Sequence, residues 1–172
     1  MKVKVGLLIG VSTLVSVAAL VSAVAAASHL DLRKLAGVYK TRFPDALVTG
    51  EKYQGEDILE IVPISGSKAY IRVHIDAYNG HICDISGLAR SENGALVLRG
   101  DADPPPCELT IAPEGQSLLL SDPNGACRMA YCGARGGFDG EKFDLSGRRP
   151  IRYMKRLVAS RQYREALSGK SR

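Results

Sequence analysis

The stretch KAYIRVHIDAYNGHICDISGLARSENGALVLRG, residues 68–100, decides how the chain folds. It holds the longest period-two alternation in the sequence. Ile71, Val73, Ile75 and Ala77 share one face, and Tyr70, Arg72, His74, Asp76 and Tyr78 share the other. Asn79-Gly80 is a strong hairpin signal between this run and the next. A two-residue loop would set Ile75 against Asp84 and Val73 against Ser86. A three-residue loop, Asn79-Gly80-His81, sets Ala77, Ile75, Val73 and Ile71 against Cys83, Ile85, Gly87 and Ala89. A one-residue slip flips a whole face, so the apolar match selects the three-residue loop. That register turns Cys83 inward, places Asp76 opposite Asp84, and leaves His74 on a wet face.

Working outward, residues 29–36 predict one short helical turn on Leu30, Leu32 and Leu35. Residues 37–43 alternate as a first strand, stopped by Pro44. Residues 45–55 read as a polar loop, and residues 58–64 as a second strand rich in branched side chains. Beyond the hairpin, residues 95–99, 107–111, 117–121 and 127–132 read as further strands separated by turn residues. The proline run Pro104-Pro105-Pro106 must be a stiff loop. The fold class is mainly β: a small antiparallel meander barrel or sandwich of about eight strands. Pro150 at a first helical position predicts a helix over residues 151–167, with Ile151, Met154, Leu157 and Val158 as its buried stripe.

Residues 1–27 carry Lys2 and Lys4, then an uncharged run ending in alanines. This is the pattern of a signal peptide, with cleavage after Ala25 or Ala27. The run is also long enough to span a bilayer, so an uncleaved inner-membrane anchor is the rival reading. Residues 28–147 then form the barrel-like domain and residues 148–172 a basic helix. Export to the periplasm or medium makes the four cysteines, Cys83, Cys107, Cys127 and Cys132, disulfide partners, with three pairings open. In the meander, Cys107 and Cys127 start strands at the same end, near Cys83, which favours Cys107–Cys127 with Cys83–Cys132. A Cys127–Cys132 bond requires that segment to be a loop. The same cysteines with His81 match no metal module by spacing, and no metal or other cofactor is expected.

Charge is divided unevenly. Residues 148–172 hold nine Lys/Arg against one acid, and residues 28–147 hold twelve against seventeen, so an acidic body carries a basic tail within a net charge of +5. Arg149, Arg152, Lys155 and Arg156 are thus candidates for contact with an anionic envelope surface. Export argues against nucleic acid as partner. The loop of residues 132–140 presents Arg135 and Phe138 on a cysteine-tethered, glycine-rich backbone, as a recognition loop would; the rival is that Phe138 packs inward. His74, His81 and Asp84 lack any nucleophile signature, and Glu56, Asp57 and Glu60 read as solvated acids at a strand entrance. No enzymatic activity is expected.

Leu35-Ala36-Gly37-Val38-Tyr39-Lys40, Ile58-Leu59-Glu60-Ile61, Ala69-Tyr70-Ile71-Arg72, Tyr78-Asn79-Gly80-His81-Ile82-Cys83 and Cys132-Gly133-Ala134-Arg135-Gly136 together resemble a group of small exported bacterial proteins. The cysteine-bearing end is similar to the β domain of periplasmic lysozyme-inhibitor-like proteins. Gly37-Val38-Tyr39 is similar to the Gly-x-Trp opening of lipocalin-type barrels, with Tyr39 where tryptophan would stand. The first resemblance implies a loop entering an enzyme's acidic cleft, with Arg135 facing the carboxylates of a lysozyme. The second implies a carrier of a small apolar ligand.

Overall fold

The computed structural model describes residues 30–100 and 105–169. The signal or anchor reading of residues 1–27, and residues 101–104 at the start of the proline loop, lie outside the described residues. Eight antiparallel strands follow one another in a single meander: β1 (Gly37–Ala46), β2 (Lys52–Pro63), β3 (Lys68–Ala77), β4 (His81–Glu92), β5 (Ala95–Arg99), β6 (Glu108–Glu114), β7 (Ser117–Ser121) and β8 (Lys142–Asp144). The sheet curls into a nearly closed barrel. Closure comes from the segment after β8, where Val38 and Arg149 exchange two backbone hydrogen bonds of 2.8 and 2.9 Å. A short helix, α1 (Leu32–Leu35), is capped by Asp31 and covers one opening with Leu32 and Leu35.

The alternation in the sequence points the strands as expected. Leu59, Ile61, Ile71, Val73, Ile75, Cys83, Ile85 and Ala89 fill the interior, joined by Tyr39, Phe138 and Phe143 in one apolar cluster. Tyr39 donates its hydroxyl to the Leu35 carbonyl at 2.8 Å and so ties β1 to α1.

Four expectations are corrected. The β3–β4 loop is Tyr78-Asn79-Gly80, and the pairs are Ala77 with His81, Ile75 with Cys83, Val73 with Ile85, Ile71 with Gly87 and Ala69 with Ala89. This register differs by two residues from the predicted one. Every side chain keeps its face, Cys83 included, but Asp84 lies opposite His74 rather than Asp76. Asn79 adopts a left-handed conformation (φ 64°) and its amide oxygen accepts from the Val48 backbone, which draws the turn one residue earlier. Second, β1 runs through Pro44, opposite Gln54, because β1 is an edge strand there and proline costs no ladder bond on an open side. Third, residues 127–132 are not a strand: α2 (Ala126–Tyr131) occupies them, and the eighth strand is β8. Gly125 is the N-cap of α2, and buried Asp122, three residues before it, accepts from the first-turn N–H groups of Cys127 and Arg128.

Fourth, the C-terminal helix is two pieces, α3 (Met154–Val158) and α4 (Arg161–Leu167). Ser160 breaks them by capping α4, its hydroxyl accepting from Tyr163 N. Pro150 lies before the helices, in the extended segment fixed by the Arg149–Val38 bridge. Leu157, Ala166, Ile151, Tyr153 and Tyr163 pack on the outer face of the barrel against Val62 and Tyr70, and the Tyr70 and Tyr163 rings lie 4.9 Å apart. Met154 and Val158, assigned to the buried stripe, are exposed.

Candidate functional site

The two disulfides are Cys83–Cys132 and Cys107–Cys127, the pairing the meander favoured. They close loops of 49 and 20 residues in sequence separation, which in the chain-entropy view stabilise the fold by about 4 and about 3 kcal/mol. All four thiols are thereby consumed, and none is left to ligate a metal.

Cys83–Cys132 pins the loop of residues 132–140 to one end of the barrel. Arg128, on α2, reaches under that loop and donates from Nε to the Gly136 carbonyl at 2.9 Å and from Nη2 to the Ala134 carbonyl at 3.2 Å. Gly133 N donates to the Ile82 carbonyl, and Asp139 accepts from Asp122 N. The glycines are there for space: a Cβ on Gly136 would sit 2.5 Å from Cys83 Sγ. Phe138 is driven fully into the core, so only Arg135 of the expected pair is presented to solvent. Its guanidinium lies 5.8 Å over the Tyr78 ring. Tyr78 is 57% exposed, and Ile82 and Val48 are exposed beside the same turns. One exposed cation thus lies over an exposed tyrosine ring.

The C-terminal cations divide into two sets. Arg149 and Arg152 line a groove of about 480 Å³ together with Lys40 and Arg42 of β1, Pro150 and Tyr153. Lys155 and Arg156 lie outside it, exposed on α3, with Arg156 5.6 Å over the Tyr153 ring. Glu56 bonds Lys40 Nζ at 2.7 Å and Arg42 Nε at 2.6 Å, and these partners hold its carboxyl below the usual range. That Lys40 and Arg42 share one face of β1 was legible from the alternation of residues 37–43. Their meeting with Arg149 was not, because it depends on how the barrel closes.

The three acids Glu56, Asp57 and Glu60 do not converge. Asp57 accepts from Asp76 N, Asp76 accepts from Glu56 N, and burial pushes Asp57 up to about 6. Glu60, expected in solvent, is 2% exposed on the outer face of β2 beneath the C-terminal segment. The Tyr153 hydroxyl donates to it, Arg72 Nη1 lies 3.7 Å away, and Glu60 Oε2 has no hydrogen-bond partner among the described residues. Arg72 continues to Asp84 at 3.3 Å, and Asp84 to His74 Nδ1 at 2.9 Å; His74 Nε2 lies 3.3 Å from Asp76. The hydrogen bond to Asp84 raises the His74 pKa. With a carboxylate at each ring nitrogen, the imidazole when protonated donates to both and links the side chains of β3 and β4. No family model, curated protein or solved structure matches the chain, so the chemistry of these sites rests on their own geometry.

Proposed function

We propose that the chain is an exported, non-enzymatic binding protein that recognises an acidic protein surface through the loop end of its barrel. A lysozyme-inhibitor-like module is the sharpest form of this reading. The supporting observation is Arg135: an exposed guanidinium on a backbone braced by a disulfide and by Arg128. A braced loop loses little freedom on binding, so more of its contact energy appears as affinity. Arginine beside an exposed tyrosine is also the composition typical of interface hot spots. The two disulfides fit an oxidising compartment, periplasmic or extracellular. The carrier reading has less support, since Tyr39, Phe138 and Phe143 fill the barrel where a ligand would sit.

The mature chain, residues 28–172, is tested for inhibition of a panel of lysozymes. The expected result is inhibition that weakens at least about tenfold in Arg135→Ala, the loss of one charge-assisted contact. Inhibition of none, or equal inhibition by Arg135→Ala, would remove the lysozyme form. A pull-down of envelope proteins that is blind to Arg135→Ala would remove the broader one.

A further inference from the structure

The groove between β1 and the C-terminal segment belongs to neither the loop end nor the helical pieces. We infer that it is a binding site for a multiply charged phosphate group carried on a small organic body, formed by Lys40, Arg42, Arg149 and Arg152 with Tyr153 as its wall.

The fold builds this groove deliberately. Lys40 and Arg42 alternate on the outer face of β1, and Arg149 arrives beside them through the backbone bridge to Val38 that closes the barrel. Closing the barrel and assembling the cations are one event. Four cations face one carboxylate, Glu56, and neither Arg149 nor Arg152 makes an ion pair among the described residues. Gathering like charges around a concavity costs stability, and it raises the local concentration of anions. Glu56 does not cancel the site. It holds Arg42 by Nε alone, which leaves the outer Nη edge of the guanidinium open, and it steers Lys40 into the same place. Arg149 Nη1 is likewise held by the Ser146 and Arg148 carbonyls. Three of the four cations, Lys40, Arg42 and Arg149, are therefore held in place before a ligand arrives.

The chemistry selects the class. A single carboxylate is satisfied by one arginine fork, whereas an excess of three positive charges suits a phosphate dianion or a pyrophosphate, which guanidinium pairs grip bidentately. Tyr153 and Pro150 supply an apolar wall for the carbon body attached to the phosphate. Tyr153 is itself fixed from below by Glu60 and from the side by Arg156. The volume of about 480 Å³ suits one such group and a small body.

Calorimetric titration of the mature chain with inorganic pyrophosphate tests the site. One equivalent is expected to bind, and the affinity is expected to fall at least about tenfold in both Arg152→Ala and Lys40→Gln. Lys155→Gln, outside the groove, and Arg135→Ala, at the other site, are expected to leave it unchanged. Melting curves confirm that each exposed variant folds. A second arm uses phosphatidylcholine vesicles with and without phosphatidic acid. Vesicle binding that pyrophosphate displaces identifies a lipid headgroup as the source, and pyrophosphate binding without vesicle binding identifies a soluble phosphate ester. Failure of both probes overturns the site. So does binding that falls as much in Lys155→Gln as in Arg152→Ala, since that is the behaviour of a diffuse basic surface. The Arg135→Ala control keeps the outcome independent of the loop-end proposal.

Discussion

The loop of residues 132–140 and the segment of residues 148–167 both present cations, and they hold them in opposite ways. The loop is fixed covalently through Cys83–Cys132 and by backbone carbonyls accepting from Arg128. The C-terminal segment has no covalent tie. It is held by one backbone bridge, a patch of apolar contacts, and the Tyr153 hydroxyl on a buried carboxylate. A small loop buries too little to order itself and needs a cross-link; a longer segment can dock by burial alone. The first arrangement holds while its disulfide stays oxidised, and the second is strong only while its polar contacts are satisfied.

Breaking the covalent side is expected to have the largest effect. Replacing Cys83 and Cys132 together by serine frees a 49-residue closure and is expected to cost 2–4 kcal/mol by urea unfolding, about the usual value for a native disulfide. Loop amides from Gly133 to Gly137 should lose exchange protection while those of α4 keep theirs. Equal loss in both regions would show that the two are one cooperative unit. Breaking the other side comes next. Tyr153→Phe removes the hydroxyl from Glu60, whose other oxygen has no partner among the described residues, and is expected to cost about 1–3 kcal/mol. Here α3 and α4 should become susceptible to proteolysis while the loop stays intact; unchanged stability would mean that the Glu60 contact contributes nothing net.

The sequence revealed much of the fold and little of this division. Period-two patterning placed every hairpin side chain on its correct face, because a two-residue error in register preserves faces. The same error hid the His74–Asp84 pair, since cross-strand neighbours are set by the turn, and the turn was fixed by a contact from Asn79 to Val48 in a distant loop. The exposure of Arg135 was legible because a cysteine tethers its neighbours in a loop. Phe138 was ambiguous because a glycine-rich backbone aims a side chain either way. Glu60 looked solvated because its cover, Tyr153, lies 93 positions along the chain. The α2 assignment failed because alternation cannot distinguish a six-residue helix from a strand, and the acceptor of its first-turn amides, Asp122, is a lone acid in a turn.

The smallest effect sharpens the comparison through pH. His74 joins Asp84, Asp84 joins Arg72, and Arg72 leads to Glu60, so the polar chain that ends under the C-terminal segment begins at a histidine. The hydrogen bond to Asp84 raises the His74 pKa above its ordinary 6.5, so the folded state binds this proton more tightly than the unfolded one. The stability it contributes is complete below 6.5 and is lost as pH rises through the raised folded value. The reason is local. Once neutral, the ring donates to only one of its two carboxylates, and turns a lone pair toward the other. His74→Gln is expected to cost about 1 kcal/mol on the acid side and to flatten this slope, with little effect at alkaline pH. Hydrogen exchange should report the wild-type loss first in α3 and α4, while the amides around Arg135 stay protected throughout. A slope that survives in His74→Gln would place the titrating group elsewhere and uncouple the C-terminal segment from the polar chain beneath it.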